Sequence, residues 1–157
     1  YGMMYMPEEP GKKGTISVRT MFKDELDVEE AREILQRLDR CDAPMRVAQI
    51  RVLGGAAARV PSSATAFAHR DAAMIIGFLA MDGTVEAAER HDRWASVCVL
   101  ALGGASERGT YVNFIADQGE AMVRASYPGL TWQRLQQVKS DYDPTNLFRR
   151  NQNIPPA

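Results

Sequence analysis

Hydrophobic and polar positions alternate in several short stretches of the chain, which is the pattern of strands whose two faces meet different surroundings. The alternation predicts strands at residues 15–22, 46–53, 64–70 and 73–81, and a short fifth strand that carries Tyr111 and Asn113. The second strand ends at Gly54-Gly55, which lacks the glycine spacing and the following helix of a dinucleotide-binding fingerprint. The glycine pair therefore predicts a turn or a close approach of the backbone, and not a Rossmann domain.

The fifth strand divides its side chains between two faces. Val112, Phe114 and Ala116 form the natural core face, which leaves Tyr111 and Asn113 together on the other face. A phenol can donate, accept or lose a proton, and a carboxamide can both donate and accept hydrogen bonds. The pair either lines a site or faces water, and the tripeptide alone does not decide between the two.

Apolar residues recur at helical spacing elsewhere and predict helices at residues 27–40, 84–102, 116–125 and 131–142. Asp27 is expected to cap the first helix, with Glu30 completing a capping box. Thr84 and Thr131 are the expected caps of the second and last helices. The expected buried stripe of the last helix is Trp132, Leu135, Val138 and Tyr142.

The order of the main elements is strand, helix, three strands, helix, strand and helix. The strands between the two long helices can be joined by short turns, which favours antiparallel pairing. We therefore predict an α+β fold, with a mostly antiparallel sheet that is covered by helices on one face.

Composition sets limits on the function. The 157 residues form about one ordinary domain, and 45% hydrophobic with 25% charged residues is typical of a globular core. A net charge of −1 predicts no nucleic acid or anionic membrane as partner, and no apolar run is long enough to span a bilayer. The chain begins with Tyr1, which is consistent with loss of an original N-terminus, so the lack of a signal peptide carries no information. The compartment stays open, with the cytoplasm favoured.

Metal ligands and nucleophiles are sparse. Cys41 and Cys98 lie far apart without metal-type spacing and are expected to be buried or half-buried thiols. His69 has no second histidine at ligand spacing, which predicts a structural role. His91 and Asp92 are adjacent in a helix, so their side chains point roughly 100° apart and are expected on the surface. No metal site is predicted.

Several stretches, taken in order, resemble one family. Residues 54–56, 59–61 and 64–70 look like the substrate-domain segment of bacterial FAD-linked oxidases. The sequence Tyr-Val-Asn-Phe at 111–114 looks like the Tyr-x-Asn-Tyr/Phe strand of that family, and residues 134–155, which end in Asn-Gln-Asn-Ile-Pro, look like its C-terminal signature. The ordered set covers nearly the whole chain. It resembles the C-terminal portion of the berberine-bridge-enzyme-like FAD-linked oxidases.

The resemblance implies a substrate domain whose antiparallel sheet lies over the isoalloxazine ring of FAD, with helices behind the sheet. It implies that one set of side chains faces the helices, namely Ala48, Ile50, Val52, Val112 and Phe114. A second set would face the flavin side, namely Gln49, Arg51, Tyr111 and Asn113.

The resemblance also implies roles. Tyr111 is the candidate base, which takes the proton of a substrate alcohol while a hydride leaves for the flavin. An unperturbed tyrosine has a pKa near ~10, so the site has to favour the phenolate through nearby donors or positive charge. Asn113, Asn151 and Asn153 are candidates for contacts to the flavin or to neighbouring backbone. Gln49 and Arg51 are candidates for the substrate pocket.

The family's flavin domain, which holds FAD and often attaches it covalently, has no counterpart in this sequence. Residues 1–108 are expected to be a portion of the substrate domain and 109–157 the C-terminal motif, packed in one structural unit. A missing flavin domain or a separate flavin-binding chain is the expected partner, with a homo-oligomer as a further possibility. The chain alone is expected to bind FAD weakly and to be inactive. The alternative is a non-catalytic binding or dimerisation module that kept the scaffold.

Overall fold

Three strands form one antiparallel sheet in the order β1-β3-β2, with β1 Thr15–Lys23, β2 Met45–Val52 and β3 Met74–Asp82. The computed structural model describes residues 15–82, 84, 86–103, 109–114, 119–150 and 152–157. The helices are α1 Val28–Asp39, α2 Gly55–Ala58, α3 Ala88–Ala101, α4 Gly119–Ala125 and α5 Leu130–Tyr142, with a 3₁₀-helix at Val112–Phe114. The predicted α+β class with an antiparallel sheet is confirmed.

The core lies between one face of the sheet and two helices. Met21 of β1 pairs in register with Ile76 of β3, and both side chains are buried. They pack with Ile34 of α1 and with Ala95 and Cys98 of α3. Burial of apolar side chains of this size stabilises the fold by about 1.5–3 kcal/mol each, so this layer holds the helices on the sheet.

The opposite face of the sheet carries a second set of side chains. The register aligns Phe22 with Ile75 and then with Arg51 across the three strands, and Gln49 lies on the same face opposite Gly77. Gln49 and Arg51 therefore point away from α1 and α3, as predicted. We call this surface the open face.

Strand β2 is an edge strand, and its burial differs from the expected pattern. Ala48 packs against the core as predicted, but Ile50 is 46% exposed and Val52 is 83% exposed. Ile50 pairs in register with Ile76, so it lies on the predicted helix side of the sheet, but neither it nor Val52 is covered there. The reason is that the core layer gathers over β1 and β3, so that the end of β2 extends past it.

The predicted helices are present, with different starts. The capping box of α1 is confirmed, because the Glu30 N–H donates to Asp27 Oδ1 at 2.8 Å and the Asp27 N–H donates to Glu30 Oε2 at 3.2 Å. Thr84 is not the cap of α3, since its N–H and hydroxyl both donate to Asp82 in the turn after β3. Thr131 is not a cap either, because α5 begins at Leu130 and buries Thr131.

The exposed side of α5 also differs from the prediction. Trp132 is buried and Leu135 is half-buried, whereas Val138 is 51% and Tyr142 85% exposed. The apolar stripe therefore meets the rest of the described chain only at its first turn. The remainder of the stripe faces outward.

The predicted strand at 64–70 is wrong. Those residues form bends and irregular structure, and the preceding glycine pair leads into the short helix α2 instead of a simple turn. The alternation there comes from two separate anchors, Phe67 and His69, which both contact the ring of Phe22. Irregular chain that packs through every second residue gives the same sequence pattern as a strand.

His91 is buried, so its expected surface position is wrong. The buried side of α3 runs through His91, Ala95 and Cys98. His91 Nε2 lies 3.1 Å from Asp42 Oδ1. The hydrogen bonds from His91 and then Arg90 lower the pKa of the Asp42 carboxyl. Polar burial is tolerated here because the ring has a charged partner.

Both cysteines are buried and free, as expected for structural thiols. Burial raises the pKa of Cys98 to about 11, which keeps the thiol neutral and unreactive. None of the helices in the described ranges has the length and apolar character to cross a bilayer. The described residues also contain no group of three His, Cys, Asp or Glu side chains that would hold a metal ion.

Asp143 organises the turn that follows α5. Its carboxylate accepts hydrogen bonds from the backbone N–H groups of Leu147, at 2.8 Å, and Phe148, at 3.0 Å, and it pairs with Lys139. The Lys139 hydrogen bond is the largest cause that lowers the pKa of Asp143, and the two backbone donors add to it. Asp143 thus anchors the segment that follows α5.

We predict that Asp143→Asn destabilises the protein at neutral pH and not in strong acid. The folded pKa of Asp143 is lowered, so its contribution is present above the unfolded pKa of about 3.9 and is lost as the pH falls through the folded value. Urea denaturation at pH 7 and near pH 2 measures the difference. Asp141→Asn, an exposed carboxylate on the same helix, is the control. An equal effect of Asp143→Asn at both pH values would contradict this role.

Gly109 begins the segment that leads to Tyr111, and no other residue fits its position. Its φ of +72° lies in the left-handed region, and a Cβ there would sit 2.1 Å from the backbone oxygen of Ala125. Such a distance forces the backbone of α4 or of the segment to move. The close approach keeps the Tyr111 segment beside the end of α4.

Gly109→Ala is predicted to destabilise the fold more than Gly103→Ala does. Gly103 has nearly the same φ, +74°, but a Cβ there meets nothing within 4 Å, so its substitution costs only the left-handed strain of roughly 1–2 kcal/mol. The clash at Gly109 should add at least about 1 kcal/mol. Free energies of unfolding from urea titration test this, and equal losses for the two variants would refute the close approach.

Candidate active site

The Tyr111 segment is attached to the middle of the open face by hydroxyl groups. The hydroxyls of Thr20 and Thr110 lie 2.8 Å apart, and both side chains are buried. The Tyr111 N–H donates to the same Thr20 hydroxyl at 3.4 Å. β1 therefore fixes the position of the Tyr111 backbone beside the sheet.

Tyr111 is followed by a 3₁₀-helix and not by the predicted strand. The Phe114 N–H donates to the Tyr111 carbonyl at 2.9 Å, which closes the turn. Side chains three residues apart eclipse each other in a 3₁₀-helix. Tyr111 and Phe114 accordingly lie on the same side, with ring centroids 5.4 Å apart in an edge-to-face arrangement. The expectation that Phe114 faces the helices behind the sheet is wrong.

The phenol of Tyr111 has a specific polar neighbour. The side-chain amide of Asn113 donates to the Tyr111 hydroxyl at 2.8 Å. Tyr111 is half-buried and Asn113 is exposed, so the hydroxyl lies where the pocket meets the surface. The structure thus brings together the two residues that the sequence pattern paired, although by a tight turn and not by a strand.

Aromatic rings surround the pocket next to Tyr111. Phe67 contacts the Tyr111 ring edge-to-face at 5.7 Å, and His69 stacks on Phe22 at 4.1 Å. The pocket has a volume of about 270 Å³. Its described walls are Phe22, Arg51, Leu53, Phe67, Ile75, Tyr111 and Phe114.

Arg51 is the charged residue of this wall. Its guanidinium carbon lies 4.8 Å from the centre of the Phe114 ring, and its Nε–H donates to the Gln49 side-chain oxygen at 3.0 Å. Both residues are exposed at the edge of the pocket. Gln49 therefore positions Arg51 and does not line the pocket itself among the described residues.

The three asparagines proposed for flavin contacts have different surroundings. Asn113 is at the pocket, as described above. Asn153 is half-buried, and its side-chain oxygen is enclosed without a hydrogen-bond donor among the described residues. No described contact joins Asn153 to the Tyr111 pocket. Asn151 lies outside the described residues.

Two parts of the site were not predicted from the sequence. Phe67 and His69 belong to it, and the His69 ring is held by a 3.1 Å hydrogen bond between Nε2 and the Ser126 carbonyl. The signal that could have found them is that Thr20 and Phe22 share the face from which Tyr111 projects. Tyr127 is a second phenol nearby. Burial, and then the neighbouring Tyr111, raise its pKa, so Tyr127 stays protonated.

Comparison with known proteins finds similarity to one family. The family described as "Berberine and berberine like" matches residues 110–155. The chain is 36% identical over 104 residues to the uncharacterized FAD-linked oxidoreductase YgaK of Bacillus subtilis, and it is 36% identical over 108 residues to the FAD-linked oxidoreductase sorD of Penicillium rubens. Each match covers 66% of this chain and 23% of the relative, so the chain spans about a quarter of these relatives.

Solved structures show the same fold. A berberine-bridge-enzyme-like protein from Arabidopsis thaliana superposes with a TM-score of 0.76 at 21% identity, covering 92% of this chain and 34% of that one. Berberine bridge enzyme from Eschscholzia californica gives a TM-score of 0.75 at 21% identity, with 92% and 33% covered. Residues 110–155 therefore match the berberine and berberine-like family, and the chain is similar to a portion of the FAD-linked oxidoreductases that resemble berberine bridge enzyme.

Proposed function

We propose that this chain is the substrate-binding side of an FAD-dependent oxidoreductase that oxidises an alcohol-type small molecule, and that Tyr111 accepts the proton of the substrate hydroxyl. The observation that carries the proposal is the Tyr111 hydroxyl at the mouth of an aromatic pocket, hydrogen-bonded at 2.8 Å by the Asn113 amide. The FAD-linked relatives support the cofactor and the reaction class.

The chain's own residues fit a flavin in part. The enclosed side-chain oxygen of Asn153 lacks a donor among the described residues, and a flavin ring offers an N–H. Asn113 offers a second amide at the open face. The sequence has no glycine-rich phosphate loop, so the phosphates of FAD would have to be held by another part of the protein. When bound, FAD supplies the acceptor for the hydride from the carbinol carbon.

The residues around Tyr111 favour its role as a base. A tyrosine with an ordinary pKa near ~10 is protonated at neutral pH, so catalysis requires stabilisation of the phenolate. The Asn113 N–H donor stabilises the charged form of its hydrogen-bond acceptor, and the cation of Arg51 lies on the same pocket wall. The edge-to-face rings of Phe67 and Phe114 hold the phenol in one orientation.

We further propose that a flavin-binding domain, in the same protein or in a second chain, closes the pocket. The surface of α5 and the turn after it supports this, because Tyr142, Leu147 and Phe148 are 85%, 73% and 77% exposed. Large exposed apolar patches of this kind mark interaction surfaces. A small-molecule substrate would bind between that domain and the open face.

We predict that the chain alone binds FAD weakly or not at all, since no phosphate loop is present in its sequence. Titration of FAD into the purified chain, followed by flavin fluorescence, measures the affinity. The complete protein is expected to be yellow with a flavin spectrum. A colourless complete protein would instead favour a non-catalytic binding or dimerisation module, and tight stoichiometric binding to the chain alone would refute the prediction.

The Tyr111→Phe variant tests the base. In the complete, flavin-loaded protein it is expected to slow flavin reduction by an oxidisable alcohol about 10²–10⁴-fold, the usual loss for a general base. The ring and its packing are retained, so the fold should change little. Stopped-flow absorbance of the flavin gives the rate, and Tyr127→Phe, which removes a neighbouring protonated phenol, is the control. If Tyr111→Phe reduces its flavin within a few-fold of the wild type, another group is the base.

A further inference from the structure

The pocket beside Tyr111 combines an apolar interior with one uncompensated cation. Of the described lining residues, only Arg51 carries a charge, and the others are aromatic or aliphatic apart from the Tyr111 hydroxyl. No carboxylate belongs to the described wall. A neutral polyhydroxy ligand would need several hydrogen-bonding groups in such a wall, and this wall offers few of them.

The terminal nitrogens of Arg51 are available. Among the described residues its side chain makes one hydrogen bond, from Nε to Gln49, and it belongs to none of the ion pairs. Arg70 differs in this respect. Its guanidinium carbon lies 5.4 Å from the centre of the Phe67 ring, but its terminal nitrogens donate hydrogen bonds to the Ala57 carbonyl and the Thr65 hydroxyl. Of these two arginines, Arg51 is the one whose terminal N–H donors have no hydrogen-bond partner among the described residues.

We infer that the substrate of this site is an aromatic alcohol that carries a carboxylate, and that Arg51 determines this specificity. The inference rests on the proposed function, since it treats the ligand of the pocket as the substrate. A guanidinium binds a carboxylate through two parallel hydrogen bonds, and its orientation by Gln49 and by the Phe114 ring reduces the entropy lost on binding.

The size and shape of the pocket agree with an aryl group. Its volume of about 270 Å³ exceeds the ~150 Å³ of an apolar cavity that takes up benzene. The rings of Phe67 and Phe114 both stand edge-to-face to Tyr111, which leaves aromatic walls for a further ring. The substrate hydroxyl would then lie towards Tyr111 and the carboxylate towards Arg51.

Binding of two isosteric probes to the complete, flavin-loaded protein tests the inference without turnover. The probes are 4-methylbenzoate and 4-methylbenzamide, which differ in charge and lack an oxidisable alcohol. Calorimetric titration is expected to show tighter binding of the benzoate to the wild type. Arg51→Gln should weaken the benzoate about 10–100-fold, the usual effect of losing a charge-assisted pair, and should change the benzamide less than about 3-fold.

Two further variants sharpen the result. Arg51→Lys keeps the charge without the planar fork and should recover part of the benzoate affinity. Arg40→Gln removes an equal charge from the exposed end of α1, on the other side of the sheet, and should change neither probe. Equal affinity of the wild type for the two probes, or an equal loss for both in Arg51→Gln, would overturn the inference.

The test is separate from that of the base. Tyr111→Phe should still bind the benzoate, because its hydroxyl is not the carboxylate partner. A Tyr111→Phe protein with full activity would refute the proposed base and leave the binding result intact. A benzoate that binds normally to Arg51→Gln would refute the substrate class and leave the base intact.

Discussion

Strand β1 is buried on both of its faces, and the rest of the described structure depends on this burial. Met21 packs into the layer of α1 and α3, while Phe22, one residue later, lies under His69 on the open face. On the same face as Phe22, the Thr20 hydroxyl holds Thr110 and the start of the Tyr111 segment. The same strand thus joins the helical layer to the pocket, and a shift of β1 by one residue would exchange the two faces.

The pocket has a consistent physical character. The ring of Phe67 contacts both Phe22 and Tyr111, so rings from three separate segments form an apolar wall on one side of the phenol. The Asn113 donor and the Arg51 charge lie at the exposed edge of this apolar wall. Under the proposed function, Asn113 would serve base activation and Arg51 substrate selection, both from the exposed edge of the same apolar pocket.

The solved relatives share one fold, although their names indicate different ligands. Solved structures at about 20% identity share this fold with TM-scores above 0.7, and they include proteins named chitooligosaccharide oxidase and aclacinomycin oxidoreductase. A shared fold therefore does not identify the ligand, which has to be argued from the side chains of the site. In this chain, the inference about the substrate depends on the cation of Arg51 and the aromatic wall around it.

The sequence by itself determined the elements whose stability is local or strictly periodic. It predicted the three long strands, the capping box of Asp27 and Glu30, the helices and the face of β2 that carries Gln49 and Arg51. Its family resemblance also pointed to Tyr111 and Asn113.

Tertiary structure decided the rest. The alternation of apolar residues could not distinguish a strand from the irregular segment that is anchored at Phe67 and His69. The helical spacing of apolar residues could not show that His91 is buried. Phe114 lies in the pocket because the segment held by the Thr20 and Thr110 hydroxyls continues as a 3₁₀ turn. Side chains three residues apart share a side in such a turn, whereas the predicted strand would have placed residues two apart on one side.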